Sequence, residues 1–173
     1  MKKGLLLGFI TLVLASCSSQ NDTLMSENQI GSLQATDSIE VAAASFTSDS
    51  IAYERLETGQ LVGFSVFSNS EKKKLQFKGN LDQGIEVVQV FDSFYKSKKG
   101  IGVGSSIADL KKAYTIEQVI PSIKSISIYV KESPLLFLID RSELSENLKY
   151  SFDPIDPIQL PAEALINQVI ISW

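Results

Sequence analysis

Hydrophobic and polar residues alternate in short runs over most of the chain, which is the pattern of β-strands. Turn residues such as Thr58-Gly59 and Gly79-Asn80 separate several of these runs. A succession of short strands and tight turns predicts an antiparallel sheet built as a meander. The predicted strands cover 51–57, 60–68, 74–78, 85–91, 126–130, 135–139 and 165–173.

One stretch, Gly100–Tyr114, has a different pattern and predicts a glycine loop followed by a short helix. Three glycines stand at alternate positions at its start. Ser106 and Asp109 then form an S-x-x-D pattern, in which both side chains can satisfy free backbone N–H groups of a first helical turn. Apolar residues fall on one helical face and lysines on the other. The sequence therefore predicts an α+β fold, a mostly antiparallel sheet with one short amphipathic helix following the glycine loop.

The N-terminus has the composition of an export signal. Lys2 and Lys3 precede an uncharged, mostly apolar run, Gly4–Leu14. This run is too short to span a bilayer as a helix, which takes about 20 residues, and is typical of a secretory signal. It ends next to Cys17, the only cysteine of the chain, which can form no internal disulfide.

The four residues Leu14-Ala15-Ser16-Cys17 resemble the lipobox of bacterial lipoproteins. The resemblance implies cleavage between Ser16 and Cys17, a diacylglyceryl group on the Cys17 sulfur and acylation, for example by palmitate, of the new amino terminus. Two or three acyl chains suffice for stable anchoring, because each buried methylene contributes about 0.8 kcal/mol. Ser18, and not an aspartate, follows the cysteine. By resemblance to lipoprotein sorting in Gram-negative bacteria, this implies the outer membrane of the cell envelope.

The remaining chain divides by composition into a tether and one domain. Residues 1–16 are the signal peptide, 17–37 a lipidated flexible tether rich in small polar residues, and 38–173 a single α+β domain. Loss of the two signal-peptide lysines changes the net charge from −4 to −6. A mildly acidic domain of this kind is a poor candidate for binding nucleic acid. No internal repeat is visible in the sequence.

A second resemblance covers residues 85–173 and rests on Lys98–Ser106 and Ala108–Tyr114. The order of strand, GIGVGSS loop, ADLKKAY helix and antiparallel strands resembles a module of uncharacterised lipoproteins of Bacteroidota. The architecture is also similar to small lipoproteins of outer-membrane β-barrel assembly and to β-lactamase-inhibitor proteins. This likeness assigns no role to any residue, because function is set by the site and not by the fold.

Residue counts exclude several kinds of chemistry. The chain has no histidine, which excludes Ser-His-Asp and Cys-His nucleophiles and H-E-x-x-H zinc sites. The glycine spacing does not match a dinucleotide fingerprint, and we predict no catalytic residue, cofactor or metal. A weaker hypothesis is an anion site where the loop meets the helix, its alternative being solvated lysines beside a tight turn. That site would comprise Lys98, Lys99, Gly102, Gly104, Ser105 and Ser106.

Acidic residues are the remaining candidates for chemistry. They could gather around a calcium ion or supply a glycosidase-like acid/base pair, but their spacing fits no known loop and is typical of exposed loop acids. We therefore interpret the chain as a cell-envelope lipoprotein with a binding or structural module, not an enzyme, contacting the membrane through its anchor and other envelope proteins. The alternatives are a small hydrolase of envelope glycans and a periplasmic inhibitor-like protein. The acids in question are Asp140, Glu143, Glu146, Asp153 and Asp156.

Overall fold

The computed structural model describes residues 22–80 and 84–173, and it is an α+β fold with a mostly antiparallel sheet, as predicted. Twelve strands lie in these residues: β1 (Leu24–Met25), β2 (Gln29–Ile30), β3 (Leu33–Gln34), β4 (Ser50–Arg55), β5 (Leu61–Phe67), β6 (Lys73–Asn80), β7 (Gly84–Val90), β8 (Lys96–Ser97), β9 (Ile116–Pro121), β10 (Ser125–Val130), β11 (Ser133–Asp140) and β12 (Ile166–Ser172). The helices there are α1 (Ile39–Ala44), α2 (Ile107–Ala113), α3 (Glu146–Lys149) and two 3₁₀ turns, Arg141–Glu143 and Pro157–Gln159.

Eight of the strands form one large sheet. Its order is β4-β5-β6-β7-β12-β11-β10-β9, and every neighbouring pair is antiparallel. The C-terminal strand β12 therefore lies in the middle of the sheet, beside β7. It pairs with β11 on its other side, and its buried Val169 and Ile171 face the core while Asn167 and Ser172 are exposed.

The large sheet consists of two halves with the same order of elements. A helix followed by a four-stranded meander occurs first as α1 with β4–β7 and again as α2 with β9–β12. The last strands of the two meanders pair at the centre, and the first strands form the two outer edges. The repeat is one of architecture, and the sequence analysis detected none.

One face of the large sheet forms the core. Fully buried side chains from both halves, including Phe77 and Phe137, belong to the same apolar cluster as Ile39 of α1 and Leu110 of α2. Phe64 stacks on Phe77 with ring centroids 4.5 Å apart. Because both helices bury their apolar residues in this cluster, they cover the same face of the sheet.

The segment predicted as a flexible tether is folded from Asp22 onward, which corrects the boundary at residue 37. Strands β1, β2 and β3 form a small sheet with β8, in which β1 and β8 run parallel. Met25, Ile30 and Leu33 are buried in the main core. The polar composition of this segment predicted a flexible tether. Its three isolated apolar residues are nevertheless enough to pack it against the domain. Residues 17–21 lie outside the described residues.

The secondary structure differs from the prediction in two further respects. The chain has α1 and α3 in addition to the predicted helix, which corrects the expectation of a single one. It also has the edge strand β9, which the sequence analysis did not assign. Pro121 argues against a central strand but is compatible with the last position of an edge strand, where no partner needs its N–H group. Within the described residues no helix is long and apolar enough to cross a bilayer.

Candidate functional site

The predicted anion site in the glycine loop has its backbone donors already bonded. The N–H group of Gly104 donates to the carbonyl oxygen of Ile166 at 2.8 Å, and that of Ser105 donates to Gly102 at 3.0 Å. The N–H group of Gly102 donates to Oγ of Ser105 at 3.2 Å. These bonds close the loop on itself and on β12, so they give these residues a structural role.

Two further members of that set, Ser106 and Lys99, are engaged at the start and end of α2. Oγ of Ser106 accepts the N–H group of Asp109 at 3.1 Å as the helix cap. Nζ of Lys99 donates to the carbonyl oxygen of Ala113 at 2.7 Å, which places a cation at the negative end of the helix. Lys98 lines a cavity of about 140 Å³ beside it.

Two of the sequence predictions concern residues outside the described part of the chain. Ser16 and Cys17, the cleavage and lipid-attachment positions, both precede Asp22, where the description begins. Lipidation of Cys17 therefore stays a prediction.

The acidic residues of 140–156 are spread over separate turns. Oδ1 of Asp140 accepts the N–H and hydroxyl groups of Ser142, and these hydrogen bonds lower the pKa of Asp140. Glu146 accepts a hydrogen bond of 2.9 Å from Lys149, which raises the pKa of that lysine. Within the described residues no three potential metal ligands converge.

A cavity of about 330 Å³ lies where the β9–β10 turn meets the segment that follows β11. We call it the Arg141 pocket. Arg141 lies in the 3₁₀ turn after β11 and is only 8% exposed, although arginine is among the residues least often buried. The residues that line the pocket are Ile123, Arg141, Ser142, Lys149, Tyr150 and Phe152.

The guanidinium group of Arg141 holds two loops together. Its Nε donates to the carbonyl oxygen of Lys149 and its Nη1 to that of Ser122. Its Nη2 donates to the carbonyl oxygen of Ser151 at 2.5 Å. The cation also lies over the ring of Phe152, with Cζ 4.4 Å from the ring centroid. Neutral dipoles and one aromatic face thus surround the charge.

Two features make this arrangement chemically unusual. A guanidinium has five N–H groups, and these bonds use three, which leaves one N–H on each terminal nitrogen. Within the described part of the chain, no carboxylate forms an ion pair with Arg141. Buried charges in proteins are normally paired, because desolvation of a lone ion is costly. The pocket thus contains a cation without its counterion.

Large apolar side chains at the rim of the pocket are exposed. Ile123 is 81% exposed, and Tyr150 and Phe152 are also mostly exposed. Each large apolar side chain loses roughly 1.5–3 kcal/mol of hydrophobic stabilisation by staying in water. A cluster of such side chains around a polar group is typical of a binding site.

The pocket lies at the opposite end of the β10–β11 hairpin from the N-terminal segment. Glu27 lines the small cavity beside Glu132 and Ser133, where β11 begins. Arg141 follows Asp140, the last of its eight residues. At about 3.3 Å per residue, the eight steps from Ser133 to Arg141 span roughly 26 Å, so the pocket lies far from the cavity that Glu27 lines.

The fold defines the class of the protein: it is a mostly antiparallel α+β domain in which α1 and α2 cover one face of the large sheet. The crystal structure of the uncharacterized protein yfeY from Escherichia coli has a similar fold, with a TM-score of 0.60. It is 18% identical, and the match covers 87% of this chain and 100% of that chain. At this identity the likeness shows the fold alone. No family model and no curated protein matches the chain.

The Arg141 pocket could not be predicted from the sequence. The acids of 140–156 are candidates for chemistry by residue type, whereas the arginine among them belongs to no motif. One signal was present: Arg141 and Arg55 are the only arginines of the chain, and Arg141 directly follows an apolar strand. Its hydrogen-bond partners are backbone carbonyl groups, which every residue has, so the sequence does not indicate them.

Proposed function

We propose that the protein is a lipid-anchored binding module of the bacterial cell envelope and that the Arg141 pocket is its binding site. The observation that carries the proposal is the nearly buried guanidinium, which has no carboxylate partner in the described residues and opens into an apolar cavity. The three backbone carbonyl bonds give Arg141 a structural role, but they do not neutralise its charge, and a desolvated charge without a counterion is costly. An external anion would supply the missing charge.

The lipobox and the folded N-terminal segment together support a position close to the bilayer. Cys17 and Asp22 are five Cα–Cα steps apart, which span at most roughly 17 Å. An anchor at Cys17 in the outer membrane would therefore hold the domain beside the membrane surface. The Arg141 pocket, at the far end of the β10–β11 hairpin, would be available to other envelope components.

The three described carboxyl groups with a shifted pKa are poor candidates for the general acid of a glycan hydrolase. A carboxylic acid that protonates a glycosidic oxygen needs a raised pKa. Among the described carboxyl groups with a shifted pKa, all three are lowered by hydrogen bonds: Asp109 by Ser106, Glu132 by Thr115 and Asp140 by Ser142. These groups suit an ionised structural role better than that of a general acid.

Two measurements in intact cells test the proposal. Cys17→Ser should move the protein from the membrane fraction to the soluble fraction, and a variant that still sediments with membranes would contradict the lipid anchor. A photoreactive residue at Ile123 should crosslink a specific envelope component. The matched control is Ile158, which is 83% exposed but does not line the pocket. Equal crosslinking from both positions would rule out the pocket as the binding site.

A further inference from the structure

We infer that the Arg141 pocket binds a carboxylate carried by one large apolar side chain, which is the chemistry of the C-terminal residue of a peptide chain. This inference rests on the proposed function and specifies the ligand of the same site. The partner is thus a protein of the envelope whose chain ends in an apolar residue. Three properties of the pocket carry the inference: its charge, its size and its position.

Charge selects an anion with two acceptor oxygens. Each terminal nitrogen of Arg141 has one N–H group free of partners in the described residues. A carboxylate can accept one hydrogen bond on each oxygen, and charge-assisted pairs of this kind are among the strongest in proteins. Because the guanidinium is already desolvated and fixed by three carbonyl oxygens, a ligand would pay little to order it.

Size selects a compact apolar group. A volume of about 330 Å³ lies at the lower end of the range of ligand pockets, roughly 300–1,000 Å³. One aromatic or large aliphatic side chain with its carboxylate fits within such a volume, whereas a long acyl chain would extend beyond it. Ile123, Tyr150 and Phe152 supply apolar surface around the charge. Capture of a chain-terminal carboxylate is an established mode of peptide recognition.

Position favours a peptide over a lipid of the anchoring membrane. The pocket is separated from the N-terminal segment by the length of β11, and the anchor site precedes that segment. The pocket is also open at its rim, so a chain terminus can enter while the rest of the partner stays outside. A lipid of the anchoring leaflet would have to reach the far end of the hairpin.

Matched small ligands test the inference on the lipidated full-length protein in phosphatidylcholine vesicles. N-acetylphenylalanine, its amide and N-acetylalanine are titrated with ligand-observed NMR, and octanoate represents a free fatty acid. We expect N-acetylphenylalanine to bind about tenfold or more tightly than its amide, since loss of charge-assisted hydrogen bonds costs at least about 1.4 kcal/mol. N-acetylalanine should bind more weakly as well, because it leaves the apolar surface exposed.

Rim variants separate binding from folding. Ile123→Ser and Phe152→Ala should each weaken the binding of N-acetylphenylalanine severalfold with little change in thermal stability, because both side chains are mostly exposed. Ile158→Ser, equally exposed but away from the pocket, should leave binding unchanged. An equal loss of binding in Ile158→Ser would show that the probe binds elsewhere.

The inference is overturned if the amide binds as tightly as the acid, if octanoate binds more tightly than N-acetylphenylalanine, or if none of the probes binds at about 10 mM, near the weak limit of specific recognition. The experiments distinguish a wrong ligand from a wrong proposed function. Crosslinking from Ile123 without binding of N-acetylphenylalanine would retain the binding site and reject the ligand. Membrane association of Cys17→Ser would reject the anchor whatever the ligand.

Discussion

Nε2 of Gln168 donates a hydrogen bond of 3.1 Å to Oε1 of Gln89, and this bond crosses the boundary between the two halves of the large sheet. The two glutamines lie on the central strands β12 and β7. On the same strands, Val169 and Val90 are register partners, and both are fully buried in the core. These two side-chain contacts add to the backbone pairing of β12 with β7, so the two meanders form one continuous sheet that should unfold as one unit.

The first prediction concerns this boundary. Val169→Ala should lower the free energy of unfolding by about 2 kcal/mol, because it removes two buried methyl groups and leaves a small cavity. Gln168→Ala should cost less than about 1 kcal/mol, since it removes one partly exposed hydrogen bond. Urea unfolding is followed by circular dichroism and by the fluorescence of Trp173, the only tryptophan. Two separate transitions in either variant would contradict a single cooperative sheet.

The second prediction tests the folded N-terminal segment. Met25 is fully buried, so Met25→Ala should destabilise the protein by about 2–4 kcal/mol. Glu27→Ala, two residues further at an exposed position, is the control and should change stability by less than about 0.5 kcal/mol. Thermal unfolding distinguishes the two cases. If both substitutions are neutral, residues 22–37 act as a tether after all.

The sequence predicted much of the sheet because its strands carry strong local patterns. Five of them are β5, β6, β7, β10 and β11, each with alternating or continuous apolar residues between turn residues. It did not predict the arrangement of those strands. The central position of β12 depends on contacts with β7, about 80 residues earlier in the chain, and no local pattern encodes such a pairing.

The missed features share a physical cause: each depends on backbone groups or on isolated residues. Strand β9 was not predicted because it contains Pro121, although an edge strand tolerates proline. Met25, Ile30 and Leu33 attach a polar segment through three isolated buried side chains. Arg141 binds three carbonyl oxygens that any sequence would provide. The glycine loop, which has the strongest local pattern, proves to be bonded within itself and to β12.

The third prediction separates two reasons for glycine in that loop. A Cβ atom on Gly102 would overlap the carbonyl oxygen of Tyr95 and would contact Met25, so Gly102→Ala should cost up to about 3 kcal/mol. Gly100 has φ +78° with open space around it, so Gly100→Ala carries backbone strain alone, about 1 kcal/mol. Chemical denaturation of both variants gives the comparison. A larger loss for Gly100→Ala would contradict the close approach of Tyr95.

The fourth prediction is a pH dependence at the link between the α2–β9 connection and the β10–β11 turn. The carboxylate of Glu132 accepts hydrogen bonds from the hydroxyl group of Thr115 at 2.6 Å and from its N–H group at 3.0 Å, and these bonds lower the pKa of Glu132. A carboxyl group whose pKa is lower in the folded than in the unfolded state stabilises the fold above its unfolded pKa. That contribution is lost as the pH falls through the folded pKa.

Thr115→Val tests this link, because it removes the hydroxyl donor and keeps the backbone donor. We expect the pKa of Glu132, measured by NMR titration of the side-chain carboxyl, to lie below its ordinary value and to rise towards it in the variant. The acid limb of the stability curve should shift to higher pH in the same variant. Glu117, which has an exposed side chain on β9, serves as the reference carboxyl. An unchanged Glu132 titration in Thr115→Val would contradict the hydrogen bond.

The fifth prediction concerns the only two arginines of the chain, which differ in burial. Arg141→Lys should lower the free energy of unfolding by about 3 kcal/mol, because one ammonium group cannot reach the three carbonyl oxygens that the guanidinium joins. Arg55 donates a single exposed hydrogen bond to Gly59, so Arg55→Lys should cost less than about 0.5 kcal/mol. Limited proteolysis should also cut the Arg141→Lys variant first within residues 141–160, because that segment is held by these bonds. Equal stabilities for the two variants would mean that Arg141 does not hold the loops of its pocket together.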